Sequence, residues 1–157
     1  LTHQLLYERT DFSSLELGPY LKRLVGSLRD AHGQLMVRIQ LLVDAPDSGL
    51  HIELSQAVPV ALVVNELLTN ALKHAFAPHR SGTVAVKAAR VGSEITVTVS
   101  DDGRGLPTDS RLSEGSSLGF SLVTLLTQQL GASMVWPQPG FAGATFVLRL
   151  PLNRVPL

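Results

Sequence analysis

The segment from Pro59 to Phe76 constrains the fold of this chain more than any other. Val60, Val63, Val64, Leu67, Leu68, Ala71, Leu72 and Ala75 recur at helical intervals and cover well over one ordinary amphipathic face. Such a helix is predicted to be largely buried, so the rest of the chain must supply its neighbours. Within it, Glu66, Asn70 and Lys73 fall at i, i+4 and i+7, with Thr69 and His74 beside them, as a narrow polar stripe. A carboxylate, an amide and an ammonium on a mostly buried helix need partners.

The neighbours can be read on either side of this helix. Leu17, Leu21, Leu24, Val25 and Leu28 predict an amphipathic helix over 17–28, with Pro19 near its start. Alternation at Leu35, Val37, Ile39 and Leu41 predicts a strand over 35–43. The turn cluster Asp44 to Gly49 leads into a second strand through Leu50, Ile52 and Leu54. After the helix, Ala77 to Gly82 forms a stop. Val84–Arg90 and Glu94–Ser100 are β-rich runs joined at Val91-Gly92-Ser93, a hairpin signal. Asp101 to Ser117 is rich in Gly, Ser and Asp and reads as a long loop, a feature that is usually functional inside a compact domain. A helix over 118–130 stopped by Gly131, and strands over 132–136 and 145–150, complete the chain. Helices alternating with pairs of strands predict an α/β two-layer sandwich, with one mixed, mostly antiparallel sheet covered on one face by three helices. Strict βαβ alternation, and with it a Rossmann sheet, is excluded.

The bulk properties agree with one such domain. The chain has 157 residues, 45% apolar and 17% charged, and its 13 basic residues balance 13 acidic ones. No like-charge run supplies a footprint for nucleic acid, and no basic amphipathic helix suggests a membrane surface. The chain contains no cysteine, which removes disulfides, thiolate catalysis and cysteine-based zinc sites. The longest apolar run, Ala57 to Val64, is too short to span a bilayer, and no signal peptide is visible. Because it begins at Leu1 rather than Met, the chain is expected to be part of a larger protein. Leu1, Leu5 and Leu6 read as the last turns of a helix from that larger protein, which places residues 1–10 in a linker or helix end and 11–157 in the domain itself.

Three segments carry chemistry. The polar stripe of the buried helix fits either a solvated Glu–Asn–Lys ladder or a nucleotide site, in which hard oxygen donors suit Mg²⁺ and a lysine one turn away neutralises phosphate. Asp101-Asp102-Gly103-Arg104-Gly105 ends a strand with an acidic pair. Asp-Gly is an ordinary turn exit. Adjacent strand residues point to opposite faces, so these carboxylates are not expected to chelate together. The one that points inward needs a hydrogen-bond donor, and the exocyclic amine of adenine is one. The glycines then allow the backbone to approach a purine closely. Glu114-Gly115-Ser116-Ser117-Leu118-Gly119 runs into a helix, either as a plain cap or as a cradle of free N–H groups for an anion.

Together, and in this order, these segments resemble the Bergerat-type ATPase fold shared by histidine kinases, type II topoisomerases, mismatch-repair ATPases and heat-shock chaperones. Residues 65–74 resemble the N box, 101–105 the first glycine box, 117–123 the second, and Gly143-Ala144-Thr145-Phe146 the closing box. Asn-Ala-Leu-Lys-His-Ala-Phe at 70–76, Leu-Gly-Phe-Ser-Leu-Val at 118–123 and Gln-Leu-Gly at 129–131 are most similar to the histidine kinases often coupled to soluble light- or ligand-sensing domains. The resemblance implies that Asn70 ligates Mg²⁺, that Lys73 and His74 contact phosphates, and that Glu66 acts around the metal and γ-phosphate. It also implies that Asp101 binds the adenine amine in a pocket shaped by Gly103, Gly105 and Leu106. Ser116, Ser117, Leu118 and Gly119 would form the lid hinge, and Thr145 would back the adenine. Ser117 departs from the pattern, since a glycine is usual there.

The implied activity is transfer of the ATP γ-phosphate to a histidine on a dimerisation domain of the same protein, then onward to a response regulator. The implied setting is a homodimeric parent in the bacterial cytoplasm. The opening residues, including His3, resemble the end of that dimerisation helix, where His3 is at the wrong end to accept the phosphoryl group. An anti-sigma-type serine kinase of the same fold, or a nucleotide-sensing scaffold without catalysis, are the competing implications.

Overall fold

The computed structural model describes residues 13–106 and 120–152. In chain order the elements are β1 (Ser14–Glu16), α1 (Leu17–Ala31), a 3₁₀ turn (Leu35–Val37), β2 (Ile39–Asp44), β3 (His51–Glu53), α2 (Leu54–His74), β4 (Gly82–Val91), β5 (Glu94–Asp101), α3 (Phe120–Gln129), β6 (Ser133–Val135) and β7 (Ala144–Pro151). Five strands form the main sheet in the order β2-β4-β5-β7-β6. Only β2 and β4 pair in parallel, and the remaining pairs are antiparallel. The parallel step follows from the crossover through α2, because strands on either side of a crossover helix run the same way.

Alternation along the strands selects one face for the core. Ile39 and Leu41, Val84, Val86 and Ala88, Ile95, Val97 and Val99, and Ala144, Phe146, Leu148 and Leu150 are all buried. They merge with the apolar faces of the three described helices into a single core. The predicted two-layer sandwich, helices on one face of a mixed sheet, is the architecture found. The turn at Gly92-Ser93 joins β4 to β5 with Val91 paired to Glu94, the two-residue hairpin expected there, and Gly92 takes a positive φ of 61°.

Beyond shifts of a few residues at element ends, the structure differs from expectation in four places. Leu35 to Val37 is a 3₁₀ turn rather than the start of a strand; Val37 is 88% exposed, and the ladder with β4 begins only at Ile39 opposite Gly82. The second strand does not join the main sheet but pairs with β1, a short strand that the sequence pattern does not predict. The buried helix starts at Leu54 rather than Pro59, because the Gln56 side chain accepts the Glu53 N–H at 2.9 Å and caps the helix one turn earlier. Pro59 therefore lies inside α2, and the carbonyl it cannot bond belongs to exposed Ser55. The same helix ends at His74, two residues short of Phe76. No described helix is long and apolar enough to cross a membrane.

Candidate functional site

The C-terminal half of α2, the ends of β5 and β7 and the first turn of α3 enclose a cavity of about 460 Å³. Leu67, Asn70, Ala71 and His74 present one face of α2 to it, since residues three and four apart share a side of a helix. Val99, Ala144, Phe146 and Phe120 make an apolar floor, and Asp101, Arg104, Gly105 and Leu106 close the side formed by the loop. An apolar cavity with a few convergent polar groups is the usual form of a small-molecule site. Behind the floor, Trp136 meets Phe120 and Phe146 edge-on, with ring centroids 5.4 and 5.9 Å away, so the aromatic wall is mutually braced.

Asp101 ends β5 between Val84 and Ala144 on the neighbouring strands. Its carboxylate is half-buried, and Oδ1 accepts the Gly103 N–H at 2.9 Å. Burial pushes its pKa above the ordinary 3.8, the Gly103 N–H opposes this, the neighbouring Asp102 charge adds to it, and the Ala144 backbone again opposes it. Asp102 turns away as strand alternation requires. It is exposed and its Oδ1 accepts the Thr83 N–H at 2.8 Å. The two carboxylates thus have separate tasks, one at the cavity and one pinning the loop to β4.

The two loop glycines are needed because protein backbone comes close to them. A Cβ on Gly103 would lie 2.2 Å from the Ala75 carbonyl oxygen. Gly105 has a φ of +78°, and a Cβ there would lie 1.7 Å from the Phe141 carbonyl oxygen. Arg104 donates its backbone N–H to the Ala75 carbonyl at 2.8 Å, and Gly143 donates to the Gly103 carbonyl at 2.8 Å. The Asp-Gly loop is thereby clamped between the end of α2 and the turn before β7.

The structure brings Asn70, His74, Asp101, Gly105 and Leu106 to this cavity. Gly103 sits behind it, shaping a smaller depression with Phe76 and Arg80. Glu66, partly buried, and Lys73, exposed, belong to α2 but do not line the cavity. Thr145 is not brought to it either: it is exposed on the opposite side of β7 from Ala144 and Phe146, in a shallower depression with Phe141 and Gly143. Ser116, Ser117, Leu118 and Gly119 lie outside the described residues. Sequence reasoning passed over Arg104 and the apolar wall of Leu67, Ala71, Phe120 and Phe146. The wall was signalled by the spacing of Leu67 and Ala71 from Asn70 and by the alternation that puts Ala144 and Phe146 together.

Residues 55–154 match the family described as histidine kinase-, DNA gyrase B- and HSP90-like ATPases. Along 96% of its length the chain is 32% identical to blue-light-activated histidine kinase 2 of Erythrobacter litoralis, covering 45% of that protein. It is 37% identical over 105 residues to the sensor histidine kinase PdtaS of Mycolicibacterium smegmatis, covering 66% of this chain and 21% of the relative. The chain thus spans less than half the length of these relatives. Among solved structures, the histidine kinase domain of the Erythrobacter litoralis EL346 blue-light-activated kinase superposes with a TM-score of 0.78 at 32% identity, over 95% of this chain and 70% of that one. The catalytic domain of histidine kinase ThkA shares the fold, with a TM-score of 0.69 at 14% identity over 88% of this chain and 93% of that one. Fold, cavity and relatives agree: the chain belongs to the histidine kinase-, DNA gyrase B- and HSP90-like ATPase family, as the ATP-binding catalytic domain of a sensor histidine kinase.

Proposed function

We propose that this domain binds Mg·ATP in the cavity beside Asp101 and transfers the γ-phosphate to a histidine on a dimerisation domain of the same protein, for relay to a response regulator. The observation that carries the reading is the half-buried Asp101 carboxylate at the rim of an apolar, aromatic-floored cavity. One carboxylate oxygen accepts the Gly103 N–H, and the carboxylate has further lone pairs to accept an adenine amine. The apolar side chains of Leu67, Ala71, Val99 and Phe146 suit the inner face and edge of a purine. Asn70 faces the same space one turn before His74 and offers an amide oxygen.

Among the described residues no three His, Cys, Asp or Glu side chains gather into a metal site. The Asn70 amide oxygen is a hard donor, which fits Mg²⁺ held mainly by phosphate oxygens and water, with Glu66 one turn away ordering the surroundings. The chemistry Mg²⁺ supplies when bound is neutralisation of phosphate charge. Lys73, exposed on α2, adds positive charge toward the phosphates. The contribution of the chain is positioning and charge placement, as in phosphoryl transfer generally. The histidine-kinase identity of the relatives favours a histidine acceptor over a serine. The family resemblance implies, and we propose, a homodimeric parent acting in the bacterial cytoplasm.

The test is paired. Titration calorimetry on this chain should give ATP binding that Asp101→Asn weakens by more than about tenfold, the scale of a lost charge-assisted bond. In the full-length parent, Asn70→Ala should abolish Mg²⁺-dependent autophosphorylation. Unchanged ATP affinity would remove the adenine assignment, and retained phosphorylation would remove the metal role.

A further inference from the structure

Arg104 occupies the position between the two loop glycines and is tied twice to the end of α2. Its backbone N–H donates to the Ala75 carbonyl and its Nε to the His74 carbonyl, both at 2.8 Å. The last carbonyls of a helix carry partial negative charge, so a cation is well placed there. A guanidinium is also planar and rigid, so the Nε bond limits the orientation of the whole group. Arg104 is exposed, and it also lines the cavity together with His74.

Its place along the cavity is informative. Arg104 follows Asp101 by three residues on a loop closed by the Gly103-to-Asp101 bond, and it attaches to α2 at His74 and Ala75, beyond Asn70. It therefore sits on the same short loop as Asp101, one helical turn beyond Asn70. Resting on the nucleotide reading above, we infer that Arg104 is a nucleotide-contacting residue whose guanidinium covers the purine–ribose end of the ligand, stacked on the purine face. A guanidinium is weakly hydrated for a cation and lies flat on aromatic surfaces, so it can cover the open side of a purine at little desolvation cost. The floor of Val99, Phe146 and Phe120 takes the inner side.

The proposal is tested with Arg104→Ala and Arg104→Lys in this chain, each titrated with ATP and with adenosine, alongside wild type and Asp101→Asn. Arg104→Ala should lose on the order of tenfold in affinity for both ligands, with the factor nearly independent of salt. Arg104→Lys keeps the charge at the helix end, so its fold is secure, yet it should lose several-fold on both ligands because an ammonium has no plane to stack. A loss confined to ATP, with adenosine binding untouched, would mean a phosphate contact and overturn the proposal. So would wild-type affinities in Arg104→Lys, or a lowered melting temperature in Arg104→Ala with affinities unchanged below the transition. Wild type failing to bind ATP would overturn the nucleotide reading itself. Weakened binding in Asp101→Asn with full binding in both Arg104 variants would overturn the Arg104 role alone.

Discussion

Burial of Asp101 works against its ionised form in the folded domain. Its pKa in the folded chain lies above the ordinary 3.8, chiefly through burial, so the folded protein holds this proton more tightly than the unfolded chain does. The resulting stabilisation is complete below 3.8 and is lost as pH rises from there through the raised value. At neutral pH the ionised carboxylate is thus a net cost to the empty fold. Asparagine removes that cost and keeps an oxygen for the Gly103 N–H. Asp101→Asn should therefore melt no lower than wild type without nucleotide, and roughly a degree or two higher, the partial exposure of the site limiting the gain. A melting temperature several degrees below wild type would show that the carboxylate is structural. The need for an inward-pointing carboxylate was legible from strand alternation alone. The reason for the glycines was not. Gly103 and Gly105 are expected to admit a purine, and they also admit the Ala75 and Phe141 carbonyls, a close approach between segments distant in the chain that has no local signature.

At the scale of elements, α2 serves the core and the site at once. Its buried face joins the core, and Leu67, Asn70, Ala71 and His74 turn the next face to the cavity. Its C-terminus is finished by the Asp-Gly loop through the two Arg104 bonds, so a fault in the loop is transmitted to the helix. Gly103→Ala places a methyl against the Ala75 carbonyl, a backbone atom that cannot move aside alone. Overpacking of this kind costs about 1–3 kcal/mol, so the melting temperature should fall by roughly 2–12 °C and ATP affinity with it. A variant with native melting and affinity would show that the loop and helix end are not rigidly joined. The existence and apolar face of α2 were readable from its period, whereas its start was not. Pro59 was a plausible first-turn proline, and the side chain that moved the start earlier, Gln56, lies upstream of the periodic run. Alternation likewise misled at Leu35 to Val37, where the pattern of a strand exists without a neighbour to pair with.

Across the whole molecule, the cavity is a gap between the two layers and is floored by core residues. Phe120 is 1% exposed, yet it lines the cavity and packs on Trp136 and Phe146. A ligand seated there extends the core, so nucleotide should stabilise the entire fold. At about a hundredfold excess over Kd the gain is about 2.7 kcal/mol, a rise of several degrees in melting temperature. Trp136 is the chain's single tryptophan, so its emission should shift on the same titration. A thermal shift without an emission change would place the ligand away from the Phe120–Phe146 floor.

The sequence by itself determined the layered α/β architecture, the buried helix with its polar stripe, the hairpin and the opposed orientation of Asp101 and Asp102, because period and alternation are local properties of the chain. The tertiary structure alone decided which strands share the main sheet, that Ala144 and Phe146 rather than Thr145 face the cavity, and that Arg104 joins the glycine loop to the end of α2. Each of these depends on register or contact between segments far apart in the chain. A one-residue change in register exchanges the faces of a strand, and the local pattern of the β7 sequence does not say which face the cavity will lie on.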